Sequence, residues 1–294
     1  MSSHALVCEY DAALVPRLRK RDLVLRLEDL DAVPDTVRAV REHCGLAALW
    51  LRPEAPLSDL SLSGLGGIGD VPVYLEVPSL GPFREWLGQV APLRRQRFHI
   101  ALPEEAPSAY RDLRILSSLH VSCGIVFGER QPDWESLADL MAYALYTKVP
   151  HAPIEPFHFV VSRYEPDDRV DFGRVTFEDP SRFLHIDVEG RIALSRKELE
   201  RGEFVAETPE QLDGTAISDA VRRRQEAWRE LFLAPGPCAS CPGFCLCLGK
   251  FQGFASANSG CRDFFVEFLE AVEAHWERNG KDGEPSRIRT ERPA

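Results

Sequence analysis

The chain has 294 residues, 44% of them hydrophobic and 28% charged, which is enough apolar material for one large domain or two modest ones. With a net charge of −11 and no Lys/Arg stripe to neutralise a phosphate backbone, nucleic-acid binding is not expected. Met1 to Leu6 lack a basic flank followed by an apolar run, and no apolar run approaches ~20 residues, so the expectation is no signal peptide, no membrane span and a cytoplasmic location.

In chain order, Leu23 to Leu27 predicts a first strand, Pro34 to Cys44 a helix with Val33, Val37 and Val40 on one face, and Leu46 to Leu51 a second strand. Gly64 to Asp70 is glycine-rich but lacks Lys-Ser/Thr and precedes a strand, so a loop is expected there and not a phosphate cradle. Val71 to Leu75 predicts a third strand, with its proline near the start where it is tolerated. Pro82 to Val90 predicts a short helix with Pro82 in its first turn. Arg97 to Leu102 predicts a fourth strand, Pro107 to Leu119 a helix, and Val121 to Phe127 a fifth strand. Asp133 to Tyr146 is the clearest helix of this half, with Trp134, Leu137, Met141, Ala144 and Leu145 in one stripe. Phe157 to Val161 predicts a sixth strand.

Strand and helix alternating over this stretch predict an α/β fold with a parallel sheet. Six units are too few for a closed eight-fold barrel, and either a partial (β/α)6 barrel or an open doubly wound sheet fits. The pattern changes after about residue 165. Phe183 to Asp187 and Arg191 to Ser195 flank Val188-Glu189-Gly190 and predict a β-hairpin. Thr208 to Gln211 opens a helical region that continues over Ile217 to Phe232. Arg262 to Glu277 predicts a last helix, with Phe264, Phe265, Phe268, Leu269, Val272 and Trp276 at helical spacing. The polar tail from Asn279 is expected to be disordered. The corresponding division is 1–165, 166–278 and 279–294.

The unusual feature is cysteine placement. Eight cysteines occur, at 8, 44, 123, 238, 241, 245, 247 and 261, and five of them fall between Cys238 and Cys261. A secreted disulfide domain spreads its cysteines through a short chain, whereas a dense cluster in an otherwise sparse chain points to metal. Cys238-x2-Cys241 lets two thiolates on one tight loop reach a single centre, Cys247 or Cys245 supplies a third, and Cys261 supplies a distant fourth. Pro242, Gly243 and Gly249 allow the backbone to fold around it, and Phe244, Phe251 and Phe254 would surround it. Four thiolates suit either a [4Fe-4S] cluster or tetrahedral zinc.

The second half resembles the SPASM/twitch extension of radical S-adenosylmethionine (SAM) enzymes. Ile186-Asp187-Val188-Glu189-Gly190-Arg191-Ile192 is similar to the family's Ile-Asp-x-x-Gly-x-Val hairpin, and Gly202-Glu203-Phe204 with Glu210 to Ile217 is similar to the element that follows it. The family's Cys-x2-Cys-x5-Cys and later cysteine match Cys238, Cys241, Cys247 and Cys261, which implies that these four hold one auxiliary [4Fe-4S] cluster and that Cys245 is spare. The βα units look like the partial barrel that precedes such an extension. Gly124-Ile125-Val126-Phe127-Gly128 resembles a SAM-contacting element of the family's fifth strand.

The departures change the functional reading. The family's initiating Cys-x3-Cys-x2-Cys would follow the first strand, where this chain has Glu28-Asp29-Leu30-Asp31-Ala32-Val33-Pro34. Leu51 to Pro56 likewise replaces the family's Gly-Gly-Glu-Pro. No SAM binding is expected. The resemblance therefore implies a degenerate homologue that assists peptide or protein modification, its partners a peptide substrate, an active radical SAM enzyme, or both. Two alternatives stay open. One is a zinc-stabilised protein-binding module. The other is an enzyme using the C-terminal ends of the strands, near Arg52, Glu54, Glu76, Glu104, Glu129 and Arg163. His99, His120, His151, His158 and His185 are expected to be satisfied core or surface histidines, Cys123 a buried thiol rather than a nucleophile, and Arg222-Arg223-Arg224 a solvated helix face.

Overall fold

The computed structural model describes residues 4–95, 97–128, 130–166, 170, 172, 175–254 and 260–280. The chain forms two compact units interleaved in sequence. One gathers the described residues of 1–130, 149–154 and 174–227; the other gathers those of 131–148, 155–173 and 228–294.

The first unit carries the sheet. Its strands are β1 (Ala5–Glu9), β2 (Asp22–Leu27), β3 (Gly45–Leu51), β4 (Val73–Glu76), β5 (Phe98–Pro103) and β6 (Ser122–Val126), followed by β7 (Ile154–Glu155), β8 (Phe183–Ile186) and β9 (Ile192–Ala193). The order across the nine-stranded sheet is β7-β6-β5-β4-β3-β2-β1-β8-β9. β1 to β6 pair in parallel with their sequence neighbours, β8 adds in parallel to β1, and β9 pairs antiparallel with β8. A doubly wound sheet reverses its strand order at a switch point. Here β1 to β6 run in sequence order and β8 lies on the other side of β1, so the order reverses once, between β1 and β8, and both an open sheet and a partial barrel are compatible with it.

Strand identity departs from the sequence reading in two places. β1 precedes the first expected strand, because the short apolar run Ala5 to Cys8 finds a place between β2 and β8. Phe157 to Val161 is a helix, not a sixth strand. Phe157 and Val160 are its buried residues, a spacing of three that suits a helix and not an alternating strand. Glu155 fixes its start by accepting a hydrogen bond from the Phe159 amide at 2.7 Å. The added strand makes the one that holds Gly124 to Val126 the sixth in chain order.

The helices follow their caps and apolar spacing. They are α1 (Val33–Arg41), α2 (Phe83–Trp86), α3 (Val90–Arg95), α4 (Ala109–Ser118), α5 (Trp134–Tyr146), α6 (Phe157–Val161), α7 (Arg196–Glu200), α8 (Gly214–Leu233), α9 (Phe244–Cys247) and α10 (Gly260–Gly280). Pro34 starts α1, whose Val33, Val37 and Val40 are buried. Asp133 caps α5 by accepting from the Ser136 amide at 3.2 Å. Pro82 stands just ahead of α2 rather than inside its first turn. Among the described residues no helix is long and apolar enough to cross a membrane.

One face of the sheet is aliphatic, with Leu23, Leu25, Leu49, Leu51, Leu75, Ile100 and Cys123 inaccessible to solvent. The other face carries a transverse row. Register places Glu9 beside Arg26, Arg26 beside Trp50, Trp50 beside Tyr74, Tyr74 beside His99 and His99 beside Ser122. These side chains touch in turn. Glu9 and Arg26 pair at 2.8 Å, Trp50 meets Tyr74 edge-on, Tyr74 stacks on His99 at 4.9 Å, and His99 Nδ1 lies 3.0 Å from Ser122 Oγ. Phe177 lies against Trp50, Tyr74 and Phe183 and has a φ of +51°, in the left-handed region that bulky residues rarely adopt.

The second unit is helical. α5, α6 and α9 each pack on α10. Trp134, Phe157, Phe172, Phe251, Phe264, Phe265 and Phe268 interlock there, mostly edge to face. The expected tail lies outside the described residues beyond Gly280.

Candidate metal centre

The cysteine loop begins where α8 ends. Pro237 opens a single 3-10 turn over Pro237–Ser240, and the Cys241 amide donates to the Cys238 carbonyl at 3.2 Å. After Pro242, Gly243 precedes α9. A Cβ at Gly243 would lie 2.5 to 2.7 Å from backbone and Cβ atoms of Phe265, so only glycine lets the loop approach α10 this closely. Leu248 and Gly249 then take left-handed conformations (φ +48° and +78°) and turn the chain back. The Leu246 carbonyl accepts from the Phe172 amide at 2.9 Å. Phe244 and Phe251 are buried beside the loop, and the Phe254 side chain lies outside the described set.

Cys247 and Cys261 are buried and hydrogen-bonded to each other, while Cys238, Cys241 and Cys245 are partly exposed. That shared hydrogen bond holds the Cys247 thiol below its ordinary value and the Cys261 thiol above it, since two adjacent sulfurs do not both ionise. The Cys261 thiol also senses the charges of Cys247, Cys241 and Cys238. Burial, then the charges of Cys247 and Cys241, push Cys238 up. Burial likewise raises Cys241, which Arg262 and the amides of Gly243 and Phe244 partly counter. The amides of Phe251, Gly249 and Lys250 face the Cys247 sulfur. Cys245 directs its thiol at the Pro242 carbonyl at 3.5 Å, and burial raises it, with Glu273 and Cys241 adding to the rise. The structure therefore brings Cys238, Cys241, Cys247 and Cys261 within electrostatic reach of one another. As they stand, no three His, Cys, Asp or Glu side chains among the described residues form a group that could hold a metal ion.

The remaining candidates resolve as structural groups. Cys123 is fully buried and its thiol donates to the Leu113 carbonyl at 3.4 Å. Burial pushes the Cys8 thiol up to about 12. Burial holds His99 and His185 down at about 4, so both are neutral, and His185 Nε2 lies 3.1 Å from the Phe177 carbonyl. His151 Nδ1 lies 3.0 Å from Ser117 Oγ. Glu104 is buried and accepts from the Tyr110 hydroxyl at 2.7 Å. Glu54 is exposed, and Arg163 lies over the Phe159 ring at 4.0 Å. Glu129 lies outside the described residues. Arg52 and Glu76 do come together, at 3.1 Å. Sequence reasoning missed their neighbour Arg26; the signal was a single arginine inside the otherwise apolar run Leu23 to Leu27. Comparison with protein-family models gives no match, and comparison with curated proteins gives none either.

Proposed function

We propose that this chain is a radical-SAM-like iron–sulfur protein without an initiating cluster. In this reading Cys238, Cys241, Cys247 and Cys261 hold one [4Fe-4S] cluster on a twitch-like extension, and a partial barrel precedes it. The protein assists peptide or protein modification by presenting substrate to an active radical SAM partner or relaying electrons to it. The observation that carries the reading is the mutual electrostatic reach of those four thiols. Four thiols are the donor type that such a centre takes. Backbone hydrogen bonding from Phe251, Gly249 and Lys250 adds to the lowering of the Cys247 thiol, which favours thiolate over thiol. A bound cluster would supply one-electron transfer, at a potential set by net charge, hydrogen bonds to sulfur and burial.

The sequential parallel order of β1 to β6 is what a partial barrel requires. The changed strand count leaves the absence of an initiating site intact. The segment after β1, Tyr10 to Arg21, holds no cysteine, and the segment after β2 holds a single one, Cys44, at its far end and not a Cys-x3-Cys-x2-Cys run. Cys8 and Cys44 are both buried.

Anaerobic purification with iron, sulfide and zinc analysis, followed by electron paramagnetic resonance of the reduced protein, tests the reading. About four iron and four sulfide per chain are expected. Stoichiometric zinc with no iron after reconstitution would overturn it in favour of a zinc-stabilised binding module.

A further inference from the structure

A separate group of polar side chains stands on the sheet of the first unit. Ligands of parallel α/β sheets bind beyond the C-terminal ends of the strands. Arg26 is the penultimate residue of β2, Trp50 the penultimate of β3, Arg52 follows β3 directly, and Glu76 ends β4. The Arg26 and Arg52 guanidinium carbons lie 5.6 and 5.9 Å from the Trp50 ring centroid. Glu76 spends both carboxylate oxygens within this group, one on Arg52 at 3.1 Å and the other accepting from the Trp50 indole at 3.1 Å.

The arginines are incompletely satisfied. The Arg26 side chain is only 10% exposed. Nε of Arg26 and Nε of Arg52 are both buried with no hydrogen-bond partner among the described residues. A buried donor left unmade costs ~1–3 kcal/mol, so two such donors at one strand end call for an acceptor. Arg196 and Arg52 both act on Arg26, and burial with their repulsion outweighs the attraction of Glu9 and Glu28. Those two carboxylates are 63% and 70% exposed, so solvent screens them. Arg196 pairs with Glu200, itself 60% exposed, and Arg224 with the more buried Glu198. His185, neutral, feels Arg196, Arg224 and Arg26 together. Each of these guanidinium groups faces a carboxylate, Arg26 with Glu9 and Glu28, Arg52 with Glu76, Arg196 with Glu200 and Arg224 with Glu198, so the case for a ligand rests on the two unmatched Nε donors.

We propose that Arg26 and Arg52 form an oxyanion-binding site at the C-terminal ends of β2 and β3, taking a carboxylate or phosphoryl group of a small ligand through their free Nε–H donors. Trp50 holds the two guanidinium groups on its ring, and Glu76 fixes Arg52. The planar guanidinium fork suits such a group, and lysine would not replace it. The site is independent of which metal the cysteines hold.

The test uses the full chain, titrated separately with inorganic phosphate and with citrate at constant ionic strength. The arginine Nε–H signals are followed by nitrogen–proton correlation spectroscopy and assigned through Arg26→Lys and Arg52→Gln. Saturable shifts of both Nε signals are expected. Saturation by phosphate alone identifies a phosphoryl ligand, by citrate alone a carboxylate, and by both a general oxyanion site. Arg52→Gln should weaken binding at least about tenfold, as loss of a charge-assisted pair does. Arg222→Gln, on an exposed helix face, should leave it unchanged. Absence of saturable shifts with either probe, or equal weakening by Arg222→Gln, would overturn the proposal. Should Arg26→Lys unfold the protein, the partly exposed Arg52 still decides the outcome.

Discussion

His99 gives a pH-dependent stability whose size follows from its surroundings. The ring is stacked on Tyr74, bonded to Ser122, and held by burial at about 4 instead of 6.5. Because the folded value is the lower one, the unfolded chain binds the extra proton first as pH falls. Stability contributed by the neutral ring is therefore complete above pH 6.5 and is lost as pH drops through 6.5 towards 4. A difference of this size corresponds to ~3 kcal/mol. Urea unfolding of the wild type and of His99→Gln, followed by circular dichroism at several pH values from 7.5 to 4.5 (roughly the window set by the two values), isolates this term. Glutamine keeps a hydrogen-bonding group towards Ser122 but cannot take up the proton. The stability gap between the two proteins should shift by ~2–3 kcal/mol across the window, in favour of the variant at low pH. Parallel curves would refute the reasoning, because they would mean that the ring titrates in the folded sheet as it does in water.

Glu155 has the opposite sign. Burial lifts its carboxyl from 4.5 to about 7, so the stability of its protonated form is lost as pH rises through that window, and Glu155→Gln should flatten this loss in the same unfolding assay. Gly243→Ala drives a Cβ to 2.6 Å from the Phe265 carbonyl oxygen and should destabilise the chain by ~1–3 kcal/mol, whereas Gly66→Ala, with nothing within 4 Å, should be silent in thermal denaturation. Under the iron–sulfur reading, Cys247→Ser should lose most of the iron measured after reconstitution while Cys245→Ser retains it. Phe268→Ala, which empties a fully buried position against Phe157, Phe172 and Phe264, should cost ~3–5 kcal/mol in urea unfolding.

Much of the fold was legible because the apolar periods of β2 to β6 and of α1, α4 and α5 are strong and bounded by proline, glycine or capping aspartate. β1 was not, because Ala5 to Cys8 is too short to announce itself and becomes a strand through pairing on both edges. Phe157 to Val161 is apolar throughout, and such a run does not reveal its own period; the proline and Glu155 before it decide the matter. The cysteine spacing left Cys245 and Cys247 as alternatives, because two thiols one residue apart in a short loop are equally near in sequence to the Cys238-x2-Cys241 pair. The arginine pair was half visible. Arg52 and Glu76 sit at strand ends, where polar residues draw notice, but Arg26 lies inside a hydrophobic run and gains its meaning from register with Glu9 and Trp50.

The interleaving of the two units has a consequence for modularity. The helical unit that carries the thiols draws on residues 131–148, 155–173 and 228–294, while the hairpin β8–β9 is committed to the sheet beside β1. A C-terminal fragment starting near residue 166 would thus contain two strands without their parallel neighbour and a cysteine loop without α5. The cysteine-bearing part is not a cassette that can be cut off, grafted or lost alone. Whatever selection acts on the thiols acts at the same time on a helix encoded a hundred or so residues earlier, which ties the two halves of the chain to one evolutionary fate.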